Sequence, residues 1–147
     1  MLNTYHTKLA IELAKKSSKN QEIPVGCVIF DENGKVISYA SNATIEKFDP
    51  TAHAEILAIR KACELLKVNK LNSLSIYVTL KPCKMCEAAI FQSGIKKIFF
   101  GAYSNYSTFN ENVKKNAQFE KNGYQYYGGI EEIECSKILK SFFKKLR

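Results

Sequence analysis

Two short motifs carry side chains that could together bind a metal ion. The first, Pro50-Thr51-Ala52-His53-Ala54-Glu55, supplies one imidazole and, two residues later, one carboxylate. The second, Pro82-Cys83-Lys84-Met85-Cys86, supplies two thiols three residues apart. A zinc ion with three protein ligands keeps its fourth position open for water, which is the catalytic arrangement. The motifs therefore predict a catalytic zinc held by His53, Cys83 and Cys86, with the Glu55 carboxylate left for proton transfer.

The spacing also predicts where the ion would lie. Asp49 and Pro50 are typical of a helix start, as N-cap and first helical residue, so we expect a helix over residues 51–68. His53 and Glu55 are about 200° apart around such a helix, and both can reach one ion only over its N-terminus. Pro82 likewise predicts a helix over residues 83–93, with its two cysteines on one face.

Each motif alone is ambiguous. A single Cys-x-x-Cys is often a redox pair or half of a zinc ribbon, and a single His-x-Glu means little. Here each motif follows a proline and opens a helix, and two helix N-termini aimed at one point favour thiolates. The combination favours catalytic zinc.

His-x-Glu followed by Pro-Cys-x-x-Cys is the signature of the zinc-dependent nucleobase deaminases. The chain resembles this cytidine/deoxycytidylate deaminase superfamily, and within it the bacterial tRNA adenosine deaminases, which convert the wobble adenosine to inosine. The resemblance runs nearly end to end. Besides the two motifs, it includes Ile23-Pro24-Val25-Gly26, Asn42, Tyr77-Val78-Thr79-Leu80, Phe100-Gly101-Ala102 and Ser141-Phe142-Phe143-Lys144-Lys145-Leu146-Arg147.

The resemblance implies a function and a partner. It implies zinc-dependent hydrolytic deamination of adenosine to inosine in the anticodon stem-loop of tRNA, with Glu55 moving protons between water, the adenine ring and the departing ammonia. Asn42 matches a position that hydrogen-bonds the flipped nucleoside, although an Asn after a strand is also an ordinary turn residue. Family members pair as homodimers through helices near the active site. The apolar run Ala88-Ala89-Ile90-Phe91 agrees with a dimer.

Two departures from the family pattern bear on the substrate. Lys81 stands where the family usually has Glu, and the segment Tyr103-Ser104-Asn105-Tyr106-Ser107 replaces a stretch that contacts the anticodon loop. Tyr103 or Tyr106 could stack on a base, or could be ordinary buried tyrosines. A deaminase of a free base or nucleoside, of cytosine or guanine type, therefore stays an alternative. A catalytically silent zinc-stabilised RNA-binding module is a third hypothesis, which Glu55 argues against.

The order of elements predicts the fold. At 147 residues we expect one deaminase domain over residues 1–147. Asn33-Gly34 between two apolar runs predicts a tight antiparallel hairpin, and the strand-helix-strand order around the cysteines predicts parallel neighbours. The fold class is α/β: three layers, α/β/α, with helices on both faces of a mixed five-stranded sheet, as in cytidine deaminases. The predicted strands cover residues 25–30, 35–40, Ser75–Leu80, 96–101 and Tyr124–Tyr127. The remaining predicted helices cover Thr4–Lys19 and residues 130–146, whereas residues 103–118 predict a loop with one helical turn.

Composition indicates the compartment and the kind of partner. No apolar run is long enough for a membrane helix, and the first residues lack the pattern of a signal peptide, so we expect the cytoplasm. Cys27, Cys63 and Cys135 are expected as small buried apolar residues without disulfides. Twenty-two Lys and Arg against fourteen Asp and Glu give a net charge of +8. That charge favours a polyanionic partner, although some compact proteins are basic for compositional reasons only.

The final helix is acidic at its start and basic at its end. Glu131, Glu132 and Glu134 come early, and five basic residues come late: Lys137, Lys140, Lys144, Lys145 and Arg147. This order matches the helix dipole, with acids at the N-terminus and bases at the C-terminus. It also suits an arm that touches phosphates, as the resemblance implies for the Phe-Phe-basic tail beside the anticodon stem.

Overall fold

The computed structural model describes residues 1–103, 118–121 and 123–146. These residues contain four helices and six strands. In order they are α1 (Thr4–Lys19), β1 (Gly26–Phe30), β2 (Val36–Ser41), α2 (Ala54–Leu66), β3 (Ser75–Leu80), α3 (Lys84–Ser93), β4 (Lys97–Ala102), β5 (Gln118–Lys121), β6 (Tyr124–Tyr127) and α4 (Glu132–Lys145).

The strands form one mixed sheet in the order β2-β1-β3-β4-β6-β5. β1 is antiparallel to both β2 and β3, whereas β4 runs parallel to β3 and β6. The predicted fold class is confirmed, and all five predicted strands are present. A sixth short strand, β5, pairs antiparallel with β6 at one edge.

Both faces of the sheet are covered by helices. Along β1, Cys27 and Ile29 face a core shared with α2 and α3, while Val28 and Phe30 face a second core under α1. This alternation explains why β1 reads as an unbroken apolar run, since a strand buried on both faces has no solvent side. α4 packs on the same face as α1, where Leu139 and Cys135 meet Ile11.

The sheet topology places the N-termini of α2 and α3, which carry the two motifs, at the same end of the strands. β2 and β3 are each antiparallel to β1, so they run in the same direction and their carboxyl ends lie together. α2 follows β2, and α3 follows β3 directly. The backbone N–H of Gly26, at the start of β1, donates to the Thr79 hydroxyl oxygen at 3.1 Å and joins β1 to β3 at this end of the strands.

Two local predictions are wrong in detail. The helix predicted over residues 51–68, with Asp49 as its N-cap, begins only at Ala54, and His53 is the N-cap. The Asp49 carboxylate instead accepts from the N–H and hydroxyl of Thr51, closing a turn before the helix. The hairpin predicted at Asn33-Gly34 is a five-residue connection over residues 31–35, in which Gly34 has a φ of +84°.

The remaining sequence-based expectations have mixed outcomes. The first helix and the strands Ser75–Leu80 and Tyr124–Tyr127 have the predicted bounds. Cys27 and Cys135 are buried free thiols, as predicted, and Cys63 is half-buried and free. The loop predicted over residues 103–118 lies almost wholly outside the described residues. Of the helices in the described part of the chain, none combines the length and apolar character needed to cross a bilayer.

Candidate active site

His53 lies where the chain enters α2. Its backbone is extended, with φ of −74° and ψ of 153°, and it makes no side-chain capping bond to the helix. Because the helix starts one residue later, Glu55 lies in its first turn, and the two side chains project from the same helix end. The prediction that the ion lies over a helix N-terminus required both side chains to project from this end of the helix.

The two cysteines occupy the equivalent end of α3. Cys83 is the N-cap, with an extended backbone, and Cys86 lies in the first turn. Cys83 is exposed and Cys86 is buried, so the pair runs from the surface inward. Each helix N-terminus is the positive end of its helix dipole, which favours thiolate sulfur.

The imidazole and the two thiols converge on one point. The Nδ1 atom of His53 lies 3.7 Å from the Sγ of Cys83 and 3.4 Å from the Sγ of Cys86. All three ligand atoms lie within 4.8 Å of one another. Ligand atoms around a tetrahedral zinc ion, with bonds of about 2.0 to 2.3 Å, lie about 3.5 Å apart. The donor set and its spacing therefore fit zinc, and they leave the fourth tetrahedral position without a protein ligand from this group.

Glu55 reaches the same cluster from inside the protein. It is only 4% exposed, and its carboxylate interacts with the neighbouring Cys86 thiol. In the metal-free chain, burial raises the pKa of Glu55 to about 7, although its own N–H and the Cys86 thiol act in the opposite direction. A buried carboxyl group beside the ligand cluster is in a position to accept and return a proton.

The two cysteines differ in acidity in the metal-free chain. A hydrogen bond from the Cys86 thiol lowers the pKa of Cys83 to about 5. The same hydrogen bond, together with burial and the nearby Glu55 carboxylate, raises the pKa of Cys86 above its ordinary value. The pair therefore holds one thiolate at neutral pH without metal, and metal binding must displace the second proton.

Asn42 lies directly after β2 and is hydrogen-bonded at both ends of its amide. Its Oδ1 accepts from the N–H of Ala54 at 2.8 Å, and its Nδ2 donates to the carbonyl oxygen of Ile23 at 3.0 Å. The side chain thus joins the segment before β1 to the start of α2, next to His53. An amide nitrogen carries two hydrogens, so one N–H remains beyond the bond to Ile23.

Glu22 is a structural residue of the site that the sequence did not reveal. It is 3% exposed, and its carboxylate accepts four hydrogen bonds between 2.9 and 3.3 Å from the loop that follows β2. The donors are the N–H groups of Thr44, Ile45 and Glu46 and the hydroxyl of Thr44. The adjacent Ile23-Pro24 was the only local signal of an ordered segment, and nothing in it marked the carboxylate as buried.

Two residues that depart from the family pattern are described by the structure. Lys81 is half-buried just before Pro82, and burial lowers its pKa. The Tyr103 ring packs edge-on against Phe100, with ring centroids 5.0 Å apart. That contact favours an ordinary packing role for Tyr103 over base stacking. Tyr106 lies outside the described residues.

Comparison with known proteins adds the family. Residues 2–102 match the family model described as the cytidine and deoxycytidylate deaminase zinc-binding region. A tRNA-specific adenosine deaminase of Rickettsia bellii is 40% identical over 141 residues, covering 94% of this chain and 97% of that protein.

Two solved structures are also similar. One, from work on A-to-I editing by tRNA:A34 deaminases, superposes with a TM-score of 0.82 at 34% identity, covering 93% of this chain and 100% of that one. A guanine deaminase from Bacillus subtilis has a TM-score of 0.63 and 37% identity, covering 70% of this chain and 66% of that one. The two matches that cover more than nine-tenths of the chain are to tRNA adenosine deaminases. They agree with the cluster of imidazole, thiols and carboxylate. The chain belongs to the tRNA-specific adenosine deaminases of the cytidine and deoxycytidylate deaminase superfamily.

Proposed function

We propose that this chain, as one deaminase domain over residues 1–147, converts adenosine to inosine by hydrolysis at the wobble position of a tRNA anticodon. The observation that carries the proposal is the buried Glu55 carboxylate beside the three-ligand cluster. The near full-length match to tRNA-specific adenosine deaminases supports the choice of substrate.

We assign the metal to His53, Cys83 and Cys86, with His53 bound through Nδ1. Zinc bound by these residues would lower the pKa of a water molecule to about 7 and so would supply a nucleophile at neutral pH. The chain's own part is to hold the three ligands on two rigid helix ends. With three protein ligands in the group, one position is left for that water.

Glu55 is the proposed proton carrier. Its carboxylate takes a proton from the attacking water and delivers it to N1 of adenine. It then takes the proton of the new C6 hydroxyl and passes it to the departing amino group, which leaves as ammonia. The oxygen of the water replaces the C6 amino group, which gives inosine and ammonia. Burial favours this role, because a carboxylate that is poorly solvated and already near the metal site needs little rearrangement to accept a proton.

Asn42 is the proposed substrate-binding residue. Its bonds to Ala54 and Ile23 hold the amide in one orientation, so that the second N–H of Nδ2 could meet an acceptor on the flipped nucleoside. Such prior orientation reduces the entropy lost on binding.

The partner is the anticodon stem-loop of tRNA. The net charge of +8 supports a polyanionic ligand. Lys144 and Lys145 in the last turn of α4 are exposed, and we propose that they contact phosphates. The helix dipole accounts for the same lysines, so their effect on RNA affinity must be measured.

We further propose a cytoplasmic homodimer. The apolar run over residues 88–91 leaves less surface for a dimer contact than the sequence suggested. Ile90 is buried in the core, and the Phe91 ring packs on Tyr124 with ring centroids 4.0 Å apart. Met85 remains exposed on α3 next to the cysteines. Light scattering at micromolar concentration tests the dimer, and a monomer would count against it.

The decisive experiment compares substrates directly. Zinc-loaded protein is incubated with a tRNA bearing adenosine at the wobble position and, separately, with free adenine, cytosine and guanine. Inosine in digested tRNA and released ammonia are measured. We expect inosine and ammonia from the tRNA, with little ammonia from the free bases.

A guanine deaminase is the second candidate, because of the 37% identity to the Bacillus subtilis enzyme. Ammonia released from guanine, with no inosine in tRNA, would favour it. No turnover of any substrate, with RNA binding intact, would instead favour the silent zinc-stabilised module.

A further inference from the structure

Phe48 combines two features that are unusual together. Its side chain is 95% exposed, the highest value among the exposed large apolar residues described. Its φ is +51°, in the left-handed region that a bulky side chain seldom adopts. Two of the other non-glycine residues described with positive φ, Gln21 and Lys67, lie at helix C-terminal ends, where this conformation is ordinary. The third, Glu131, is the N-cap of α4. Phe48 also ends a single helical turn, in which its N–H donates to the carbonyl oxygen of Ile45 at 3.3 Å, so its positive φ belongs to that turn. The unusual feature is an aromatic ring that this ordered turn leaves almost wholly exposed.

The loop that carries Phe48 is held in place. Ala43 donates from its N–H to the carbonyl oxygen of Ala52 at 3.0 Å and so closes residues 43–52 at their base. Within the loop, the N–H of Asp49 donates to the carbonyl oxygen of Thr44 at 3.0 Å. The buried Glu22 carboxylate binds the first half of the loop through four hydrogen bonds. The ring therefore stands on an ordered support.

The same loop connects two residues of the proposed active site. Asn42 immediately precedes it and His53 immediately follows it. Five residues of chain span at most about 18 Å, and the turn at Asp49 brings Phe48 closer to His53 than that limit. The Asp49 carboxylate, next in the chain, interacts electrostatically with His53. Phe48 therefore lies on the loop that joins Asn42 to His53, within about 18 Å of His53.

We infer that the Phe48 ring is a stacking surface for a nucleobase that flanks the target adenosine. This inference rests on the proposed function. An enzyme that reaches C6 must draw the target base out of its stack, which leaves the neighbouring bases without a stacking partner. An exposed aromatic ring replaces that partner, and a loop whose backbone is already ordered loses little freedom on binding.

A nucleobase fits this ring better than a protein surface does. Phe48 is followed by Asp49 and preceded by Glu46 and Lys47, so the ring is not part of a broad apolar patch. Ile45, at 57% exposure, is the nearest large apolar neighbour in the loop. A stable protein interface needs about 800 Å² on each partner, whereas one ring suffices to stack one base. The basic net charge also favours nucleic acid.

The first test removes the ring without harming the backbone. In Phe48→Gly the new residue accepts positive φ, so the fold should be kept or improved. We expect binding of an anticodon stem-loop RNA to weaken roughly 5- to 100-fold, the usual value of one base stacked on an aromatic ring. The effect should fall on KM, with kcat nearly unchanged. Phe48→Tyr should bind like the wild type. Tyr5→Ala should also bind like the wild type, because it removes an exposed aromatic ring that lies elsewhere, on α1.

The second test reports stacking directly. The chain contains no tryptophan, so Phe48→Trp introduces a single indole at the proposed surface. Its fluorescence should be quenched when the stem-loop RNA binds, whereas the indole of Tyr5→Trp should not respond. Abasic substitutions on each side of the target adenosine identify the stacked base. One of them should weaken binding to the wild type and lose that effect in Phe48→Gly.

Several outcomes would overturn the inference. Equal RNA affinity and KM in Phe48→Gly and wild type would do so, as would an indole in Phe48→Trp that RNA leaves unquenched. A changed oligomeric state in Phe48→Gly with unchanged RNA affinity would assign the ring to a protein contact instead. If the wild type forms no inosine in any tRNA, the proposed function fails first and this inference with it. The inference alone fails if the wild type is active and Phe48→Gly is equally active.

Discussion

The side-chain oxygen of Asn42 accepts a hydrogen bond from the backbone N–H of Ala54, at 2.8 Å. His53, the N-cap of α2, makes no side-chain capping bond, so a residue outside the helix satisfies one of the N–H groups that every helix start leaves open. His53 is thereby released from the usual role of an N-cap, and its imidazole is available to a metal ion.

Asn42→Ala should therefore affect more than substrate binding. It removes the bonds to Ala54 and Ile23, and we expect the free energy of unfolding of the zinc-loaded protein to fall by about 1–3 kcal/mol, along with a loss of turnover. Chemical denaturation and kinetics would measure both. Asn33→Ala, at an exposed asparagine in the β1–β2 connection, is the matched control. Unchanged stability in Asn42→Ala would show that the two bonds contribute nothing net.

The metal ligands can be tested one at a time. We expect about one zinc per chain, lost in His53→Ala, Cys83→Ala and Cys86→Ala, because each removes one of only three protein ligands. Cys63→Ala, at a free cysteine outside the cluster, should keep its zinc. Elemental analysis of the purified variants gives the answer. A full zinc content in Cys83→Ala would refute the assigned ligand set.

Glu55→Ala should separate chemistry from metal binding. The variant should keep its zinc and its fold but lose turnover by at least ~10²–10⁴-fold, the usual contribution of a positioned general acid–base group. Glu64→Ala, at an exposed carboxylate on the same helix, should be fully active. If a zinc-loaded Glu55→Ala protein deaminates at the wild-type rate, proton transfer must use another group.

The metal-free chain should contain one unusually reactive thiol. Cys83 is exposed, and its pKa is lowered to about 5, so its thiolate is present at all pH values above that point. Alkylation of Cys83 should be nearly independent of pH from about 6 to 9, whereas an ordinary thiol speeds up through about 8.5. Mass spectrometry of alkylated peptides would follow each cysteine. Added zinc should protect Cys83, and a rate that rises steeply above about pH 8 would contradict the lowered pKa.

The basic end of α4 can be tested without removing it. Phe142 is buried, so deleting residues 142–147 would damage the core. The pair Lys144→Ala and Lys145→Ala should weaken RNA binding and make its dependence on salt less steep, by about 0.7 to 0.9 in the logarithmic slope for each lost phosphate contact. The control pair is Lys16→Ala and Lys19→Ala, in the last turn of α1. Equal salt slopes for the two pairs would mean that Lys144 and Lys145 only match the helix dipole.

Much of the fold could be predicted from local patterns. Alternating and unbroken apolar runs indicated the strands, and the spacing of apolar residues indicated the helices. The start of α2 was misplaced because Asp49-Pro50 has the composition of a helix start, yet the Asp49 side chain caps a turn at Thr51 instead. A carboxylate can satisfy either kind of N–H, and only the tertiary structure selects between them.

The residues of the proposed site could be named from the sequence, whereas the residues that hold them in place could not. His53, Glu55, Cys83 and Cys86 form motifs of definite spacing, so their types and positions were readable. The roles of Glu22 and of the Asn42 oxygen depend on bonds to backbone groups 12 to 24 residues away. No periodicity records such pairings. Phe48 was equally invisible, because exposure and positive φ are properties of the folded chain alone.

The antiparallel pairing of β1 with β3 also constrains how the chain folds. One half of the site, His53 and Glu55, belongs to the local unit β1-β2-α2, and the other half belongs to β3-α3-β4. The two units meet through the register that sets Cys27 opposite Val78, a contact between distant parts of the sequence that is slow to form. Neither unit alone contains the full ligand set. Tight zinc capture during refolding should therefore lag behind secondary structure and mark the moment when the two halves of the sheet have joined.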